Sequence, residues 1–381
     1  MNIRARNIVS LVSMDLRFKN LLSSPTCVTI IFSAVLLACA QIYQRTVQPH
    51  QPHSSRSARI PPLLSILLRT PTGSFSTVPI TRMNLLCATQ LGKEIDFTQN
   101  ESTLRTWSQR IKSETDRHFY RFRQHPDQFE NSEGFYRMLM MSVVLAEDFK
   151  IHYADERKSS PLPSDGRGIK GEGMGLTLLT SLPLPGVSLS QRMERVGPPS
   201  VVLLTEEGVR AQDDNFFSEP DYVFLTGLLG PERKGTCSSM PVLYVAIGRE
   251  LGYPLKLVTT KGHLFVRWDA PGERFNIEAT TRGLSRFDDE YYRHWPFEIT
   301  PAEEQAEGYL KSLTPQGELA VFMSIRGMCL KDAGKPVQAS EAFAAAAHLA
   351  PNCASYQKLV NLTKNQIVSK TQPPSSKGQN L

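Results

Sequence analysis

The chain has 381 residues, 40% of them hydrophobic, and its 43 Lys and Arg against 37 Asp and Glu leave a net charge of +6. That length calls for two or three folding units, and that apolar fraction excludes a wholly disordered chain. The charge excess is modest and concentrated early, and no Lys/Arg run interleaved with aromatics follows it, so no nucleic-acid partner is expected.

Arg4, Arg6, Arg17 and Lys19 precede an uncharged apolar run from Thr26 to Ala40. A basic stretch before such a run is the pattern of a signal peptide or a short membrane anchor; a full helical span wants ~20 apolar residues. Ala38-Cys39-Ala40 fits the small-residue pattern of signal cleavage, and Leu36-Leu37-Ala38-Cys39 approaches a lipoprotein box. Residues 1–43 are therefore assigned to a signal or membrane-anchor segment. The chain is expected to be exported or membrane-anchored if translation starts at Met1 or Met14, and cytoplasmic if it starts near Met83.

Residues 44–100 are expected to form a disordered linker, since Gln44 to Arg82 is rich in Pro, Ser, Thr, His and Arg. Leu63 to Leu68 is apolar but too short to cross a bilayer. From Glu101 to Tyr153 the apolar spacing turns helical, with Phe119, Phe122 and Phe129 on one stretch and Phe135, Leu139, Val143, Ala146 and Phe149 on another. Lys158 to Gly175 reads as a mobile insertion. Its Gly166-Arg167-Gly168 and Gly171-Glu172-Gly173 lack the preceding strand and the Gly-Lys-Ser/Thr ending of a phosphate loop.

Gly235-Thr236-Cys237-Ser238-Ser239 carries the chemistry. Val242, Leu243, Ala246, Ile247 and Leu251 then recur at helical spacing until Gly252-Tyr253-Pro254 stops the helix. Cys237 thus opens a helix, where free amide groups favour a thiolate. Leu255 to Thr259 reads as a strand. His263–Trp268 and Arg274–Ala279 flank Asp269-Ala270-Pro271-Gly272 and read as a hairpin. A hairpin symmetric about that loop sets His263 directly opposite Glu278, with Asn276 on the same face one diagonal step away. Cys237 as nucleophile, His263 as base and Glu278 as orienting carboxylate are the candidate catalytic residues, with Asn276 as the alternative third member. The Cys237 amide is the first candidate oxyanion donor, and Asn215 or Thr236 the second.

The order Cys, helix, strand, His, hairpin, acid resembles the transglutaminase-like core of the papain-type cysteine enzymes. Glu278-Ala279-Thr280 stands where that family often carries Asp-Pro-Thr. Phe216-Phe217-Ser218-Glu219-Pro220, Gly262-His263-Leu264-Phe265-Val266-Arg267 and Tyr309-Leu310-Lys311-Ser312-Leu313-Thr314-Pro315 resemble the bacterial Sir-B-type branch, which joins this core to a tetratricopeptide tail. The resemblance implies an α+β fold, with the Cys-bearing helix packed on an antiparallel sheet over 101–300. It implies a helical tetratricopeptide-like tail over 301–362, opening with a helix from Glu303 to Leu313, and then a disordered end over 363–381. Aligning Pro351 with the closing proline of such a repeat puts Gly327, Ala339, Phe343 and Ala346 at its small and aromatic positions.

The expected function is cysteine-dependent acyl transfer, as an amide hydrolase, a protease-like enzyme or a transglutaminase-like enzyme. The alternative is a non-catalytic scaffold, because some members of the resembled branch lack the cysteine. The expected partner is a protein or peptide, on the periplasmic side if the chain is exported. The six cysteines show neither CxxC nor Cys/His metal spacing, so neither metal nor cofactor is expected and Cys329 and Cys353 read as buried thiols.

Overall fold

The computed structural model describes residues 60–154, 216–281, 283 and 285–371, all within one unit of the chain. The anchor segment, the residues 44–59 and the insertion near 158–175 lie outside the described residues.

The N-terminal part is helical: α1 (Pro62–Leu68), a 3₁₀ turn (Thr72–Thr77), α2 (Ile80–Ala88), α3 (Phe97–Gln124), a 3₁₀ turn (Pro126–Phe129) and α4 (Glu133–Glu147). Side chains cap the two longer helices. Asp96 accepts from the Gln99 amide at 2.9 Å, and Ser132 accepts from the Phe135 amide at 2.8 Å. The short strand β1 (His152–Tyr153) pairs in parallel with β2 (Lys234–Gly235), after α5 (Pro220–Val223) and α6 (Leu225–Leu229).

The linker expected over 44–100 does not hold from Ile60 onward. Leu64, Leu67, Phe75, Ile80, Met83, Leu85 and Cys87 are all buried in the main core. Pro and Ser content suggested disorder, yet Pro61, Pro71 and Pro79 instead stand as the N-caps of three short helical turns, where a missing N–H costs nothing.

Next come α7 (Met240–Glu250) and an antiparallel sheet in the order β3 (Leu255–Thr260), β4 (His263–Ala270), β5 (Glu273–Ile277). Leu264 and Val266 join the large core that holds α7. Phe265 and Val258 belong to a second cluster with Tyr292, Ile299, Tyr309 and Leu310. The alternation of β4 thus serves two cores.

The hairpin register differs from the symmetric expectation by two positions. Ala270 pairs with Glu273 and Arg267 with Asn276, so the loop is only Pro271-Gly272. Proline cannot take a positive φ, so the left-handed angle falls on Gly272, at +80°. Asp269 and Ala270 therefore stay in the strand. β5 ends at Ile277, short of the expected Ala279, and Ala279–Thr281 turns as a 3₁₀ helix.

Beyond the sheet lie α8 (Asp289–His294), α9 (Pro301–Glu307), α10 (Pro315–Asp332), α11 (Pro336–Leu349) and α12 (Ala354–Thr371). The helix expected over Glu303–Leu313 stops at Glu307. Leu310 and Leu313 instead donate their amides to the Thr259 and Leu257 carbonyls at 2.9 and 2.8 Å, covering the open edge of β3. The disordered end expected from 363 does not hold as far as Thr371, where α12 ends.

One apolar core runs from Leu64 on α1 to Val360 on α12. α10 is buried from Glu318 to Leu330 and packs on α2, the Thr72–Thr77 turn and α11. Arg249 on α7 grips Glu318 of α10 with two hydrogen bonds, of 2.9 and 2.5 Å. Arg326 donates to the carbonyls of Cys87 and Thr89 at the end of α2. The division drawn at residue 300 is therefore not a boundary between cores.

Candidate active site

Cys237 lies in the turn that leads into α7. The Thr236 carbonyl accepts from the Ser239 amide at 3.1 Å and the Met240 amide at 2.9 Å, so helical winding starts a turn before the helix. The loop is pinned from behind by one acceptor. The Tyr222 carbonyl receives the Thr236 amide (3.2 Å), the Thr236 hydroxyl (3.3 Å) and the Ser239 hydroxyl (2.6 Å). Ser239 Oγ in turn accepts from the Thr236 amide at 3.0 Å. Two hydroxyl residues thereby hold the thiol-bearing turn in place, and Thr236 is committed to that task. Asn215 lies outside the described residues. The Cys237 amide has no acceptor among the described residues, which leaves it available as a donor.

His263 begins β4, and Glu278 follows the end of β5. They are not directly opposed, yet a slip of two positions keeps side chains on one face, and the two meet. His263 Nε2 lies 2.7 Å from Glu278 Oε2. The carboxylate is held from both sides. Oε1 accepts from the Thr280 amide (3.0 Å) and hydroxyl (2.6 Å), and Oε2 also accepts from the Tyr292 hydroxyl (3.1 Å). The Glu278 amide donates to the Ser285 carbonyl at 2.9 Å. A glutamate reaches one methylene further than an aspartate, and here the turn after β5 accommodates that length.

The other imidazole nitrogen is open. His263 Nδ1 is buried without a hydrogen-bond partner, and the Cys237 thiol is among the groups that raise the basicity of the ring. Burial by itself would push the imidazole down. The Glu278 carboxylate and Cys237 outweigh it and bring His263 up to about 10. Burial would likewise raise Glu278, but His263 and the Thr280 donors hold its carboxyl below the usual carboxylate range. The pair is thus stabilised as imidazolium and carboxylate. Cys237, His263 and Glu278 are 3%, 2% and 1% exposed.

Asn276 shares the face but is engaged elsewhere. Its Oδ1 accepts from Arg267 Nε at 2.7 Å, and its Nδ2 donates to the Phe287 carbonyl and Asp289. Arg267, fully buried, also holds the Leu310 carbonyl and Asp289, tying hairpin, α8 and edge segment together.

Tyr292 and Trp295 complete the surroundings. The Tyr292 ring lies nearly parallel to His263 at 6.2 Å and stacks on Phe265 at 3.8 Å. Trp295 stands edge-on to His263 at 4.8 Å. In the sequence these aromatics after the sheet have no motif; only Thr280, two residues beyond Glu278, carried a local signal, as a hydroxyl within reach of the carboxylate before it. Cys87, Cys237, Cys329 and Cys353 are all free thiols, and no metal-binding cluster occurs among the described residues.

A family model described as transglutaminase-like superfamily matches residues 199–319, and that segment contains Cys237, His263, Glu278 and Tyr292. The chain therefore carries a transglutaminase-like superfamily domain over that range. No curated protein and no solved structure matches it.

Proposed function

We propose that this domain is a cysteine-dependent acyl-transfer enzyme using Cys237, His263 and Glu278. The supporting observation is the division of the imidazole. Nε2 is taken by Glu278, Nδ1 is buried without a hydrogen bond, and the Cys237 thiol raises the basicity of the same ring. That is the arrangement a thiol, a base and an orienting carboxylate require.

In this reading His263, held as an imidazolium beside Glu278, already carries the proton given up by Cys237, and the thiolate attacks an amide carbonyl carbon. The oxyanion so formed takes the Cys237 amide as a donor. Its collapse breaks the C–N bond, and His263 gives its proton to the departing amine. Water or a second amine then attacks the thioester, losing its proton to His263, and the C–S bond breaks to restore the thiolate and imidazolium. Glu278 keeps the ring oriented and balances its charge throughout. The substrate class is an amide-bearing protein or peptide. The three tail helices read as a tetratricopeptide-like repeat docked on this domain, supported by the contact of Gly327 with Phe343. The apolar run from Thr26 to Ala40 would hold the protein at a membrane or direct its export.

A non-catalytic scaffold is the second reading, favoured by the burial of all three side chains. Iodoacetamide labelling across pH separates the two. A thiolate-forming Cys237 reacts well below pH 8, roughly the range of an ordinary thiol or lower. His263→Ala then removes that low-pH reactivity, and Cys237→Ser removes it as well, leaving only the labelling of the other free thiols above about pH 8. Absence of labelling below pH 8 in a folded protein would favour the scaffold.

A further inference from the structure

The Tyr292 hydroxyl touches the His263–Glu278 pair and has no part in the acyl-transfer steps. Its ring is fully buried on α8, against Phe265 and beside His263. Phenylalanine would fill that space equally well, so packing does not explain the oxygen. Burying a hydroxyl without a partner is costly, and this one is aimed at a carboxylate. It donates to Glu278 Oε2 at 3.1 Å, the same oxygen that meets His263 Nε2 at 2.7 Å. The backbone of the same residue is anchored as well, since the Thr260 hydroxyl donates to the Tyr292 carbonyl at 2.7 Å. α8 is thus tied to β3 where the phenol reaches across to the acid.

We propose that Tyr292 is a positioning residue that acts through Glu278, sharing Oε2 with His263 and so limiting how tightly the carboxylate holds the imidazolium. With Thr280 holding Oε1 from the other side, the carboxylate plane is fixed and its charge is divided among several donors. A base that must take a proton from a thiol and later release it to a leaving amine needs such a limit. The Tyr292 phenol itself stays protonated, because burial and the Glu278 charge both raise it. The titratable and charged groups facing this cluster are Cys237, Glu278, Arg267, Tyr244 and Tyr291.

The catalytic consequence rests on the acyl-transfer reading, so the test is made without activity. In the full chain, histidine-labelled and carrying Cys237→Ala, the His263 ring is titrated by NMR with and without Tyr292→Phe. Loss of the competing donor is expected to raise the His263 midpoint by about 0.5 pH unit or more, with little change in melting temperature. Phe265→Leu, a packing change on the same ring, is expected to lower stability and leave the midpoint in place. An unmoved or lowered midpoint in Tyr292→Phe would overturn the proposal. Should that variant not fold, the Tyr292 phenolic proton in the parent chain serves instead. Its resonance must move with the His263 titration, and a resonance indifferent to that titration overturns the proposal equally. Failure here leaves the Cys237 labelling test intact, and failure of that test leaves this one readable.

Discussion

The surroundings of His263 and those of Phe343 are equally buried, but they are held together by opposite means. His263 and Glu278 lie beside the second, smaller cluster, against Tyr292; His263 Nδ1 is left without a partner there, and charge is neutralised across 2.7 Å. Phe343 lies in the main core against Gly327, with Ala339, Ala342 and Ala346 on the same helix. A methyl added at Gly327 would come within 2.4 Å of the Phe343 ring. Burial alone therefore does not say what a site tolerates. The apolar region depends on volume at any pH, while the polar one depends on the protonation of two groups.

The largest effect should come from the apolar side. A chain beginning at Asn84 lacks Leu64, Leu67, Phe75, Ile80 and Met83, which line the core that α10 enters. Each buried aliphatic is worth about 2–5 kcal/mol, against a total stability of about 5–15 kcal/mol for an ordinary domain. Such a chain is expected to aggregate or melt without cooperativity, whereas one beginning at Ile60 should give a single thermal transition by circular dichroism. A well-folded chain from Asn84 would show that α1 and the first turn of α2 are an appendage of the core.

Smaller changes at the tail sharpen the contrast. Phe343→Ala is expected to cost about 3–5 kcal/mol by denaturant unfolding. Gly327→Ala is expected to cost about 1–3 kcal/mol from overpacking, partly offset by a gain in helix propensity of up to about 1 kcal/mol. Both losses should be the same at pH 5 and pH 9, since what meets at that contact is the Gly327 backbone and the Phe343 ring.

Glu278→Gln should have an effect on stability similar in size to that of Gly327→Ala and the only one that varies with pH, at about 1–3 kcal/mol where it is greatest. His263 is raised from its ordinary 6.5 to about 10, so its contribution is full below 6.5 and is lost as pH rises towards 10. Glu278 is lowered from its ordinary 4.5, so its contribution is full above 4.5 and is lost on acidification. The melting-temperature gap between parent and Glu278→Gln is therefore expected to be widest between pH 4.5 and 6.5 and to narrow towards pH 10. A gap that stays flat over this range would mean that the pair is held by shape, as the tail is.

Much of this site could be read from residue order. The helix after Cys237 followed from apolar spacing and the Gly252-Tyr253-Pro254 stop, and it spans Met240–Glu250. The two strands of the hairpin followed from alternation and a Pro-Gly turn. Their register did not, because a four-residue and a two-residue loop around Pro271-Gly272 are both compatible with the pattern, and only the pairing of Ala270 with Glu273 separates them. Residues 60–100 misled for a related reason. Their composition is that of a linker, and the few apolar residues that matter are buried only because α10 presents a surface to receive them.

What the sequence alone determined is the face. Side chains alternate along a strand, so His263, Asn276 and Glu278 share one side under either register, and a slip of two positions leaves that unchanged. Which acid meets the histidine was decided by tertiary structure. Arg267, placed opposite Asn276 by the two-residue loop, engages the amide together with Asp289. Glu278, beyond the last strand pair, is turned towards His263 by Thr280 and by Tyr292 from α8. Those partners are distant along the chain or lie in a turn, so no periodicity records them. They become neighbours only when burial requires every charge to find a counterpart.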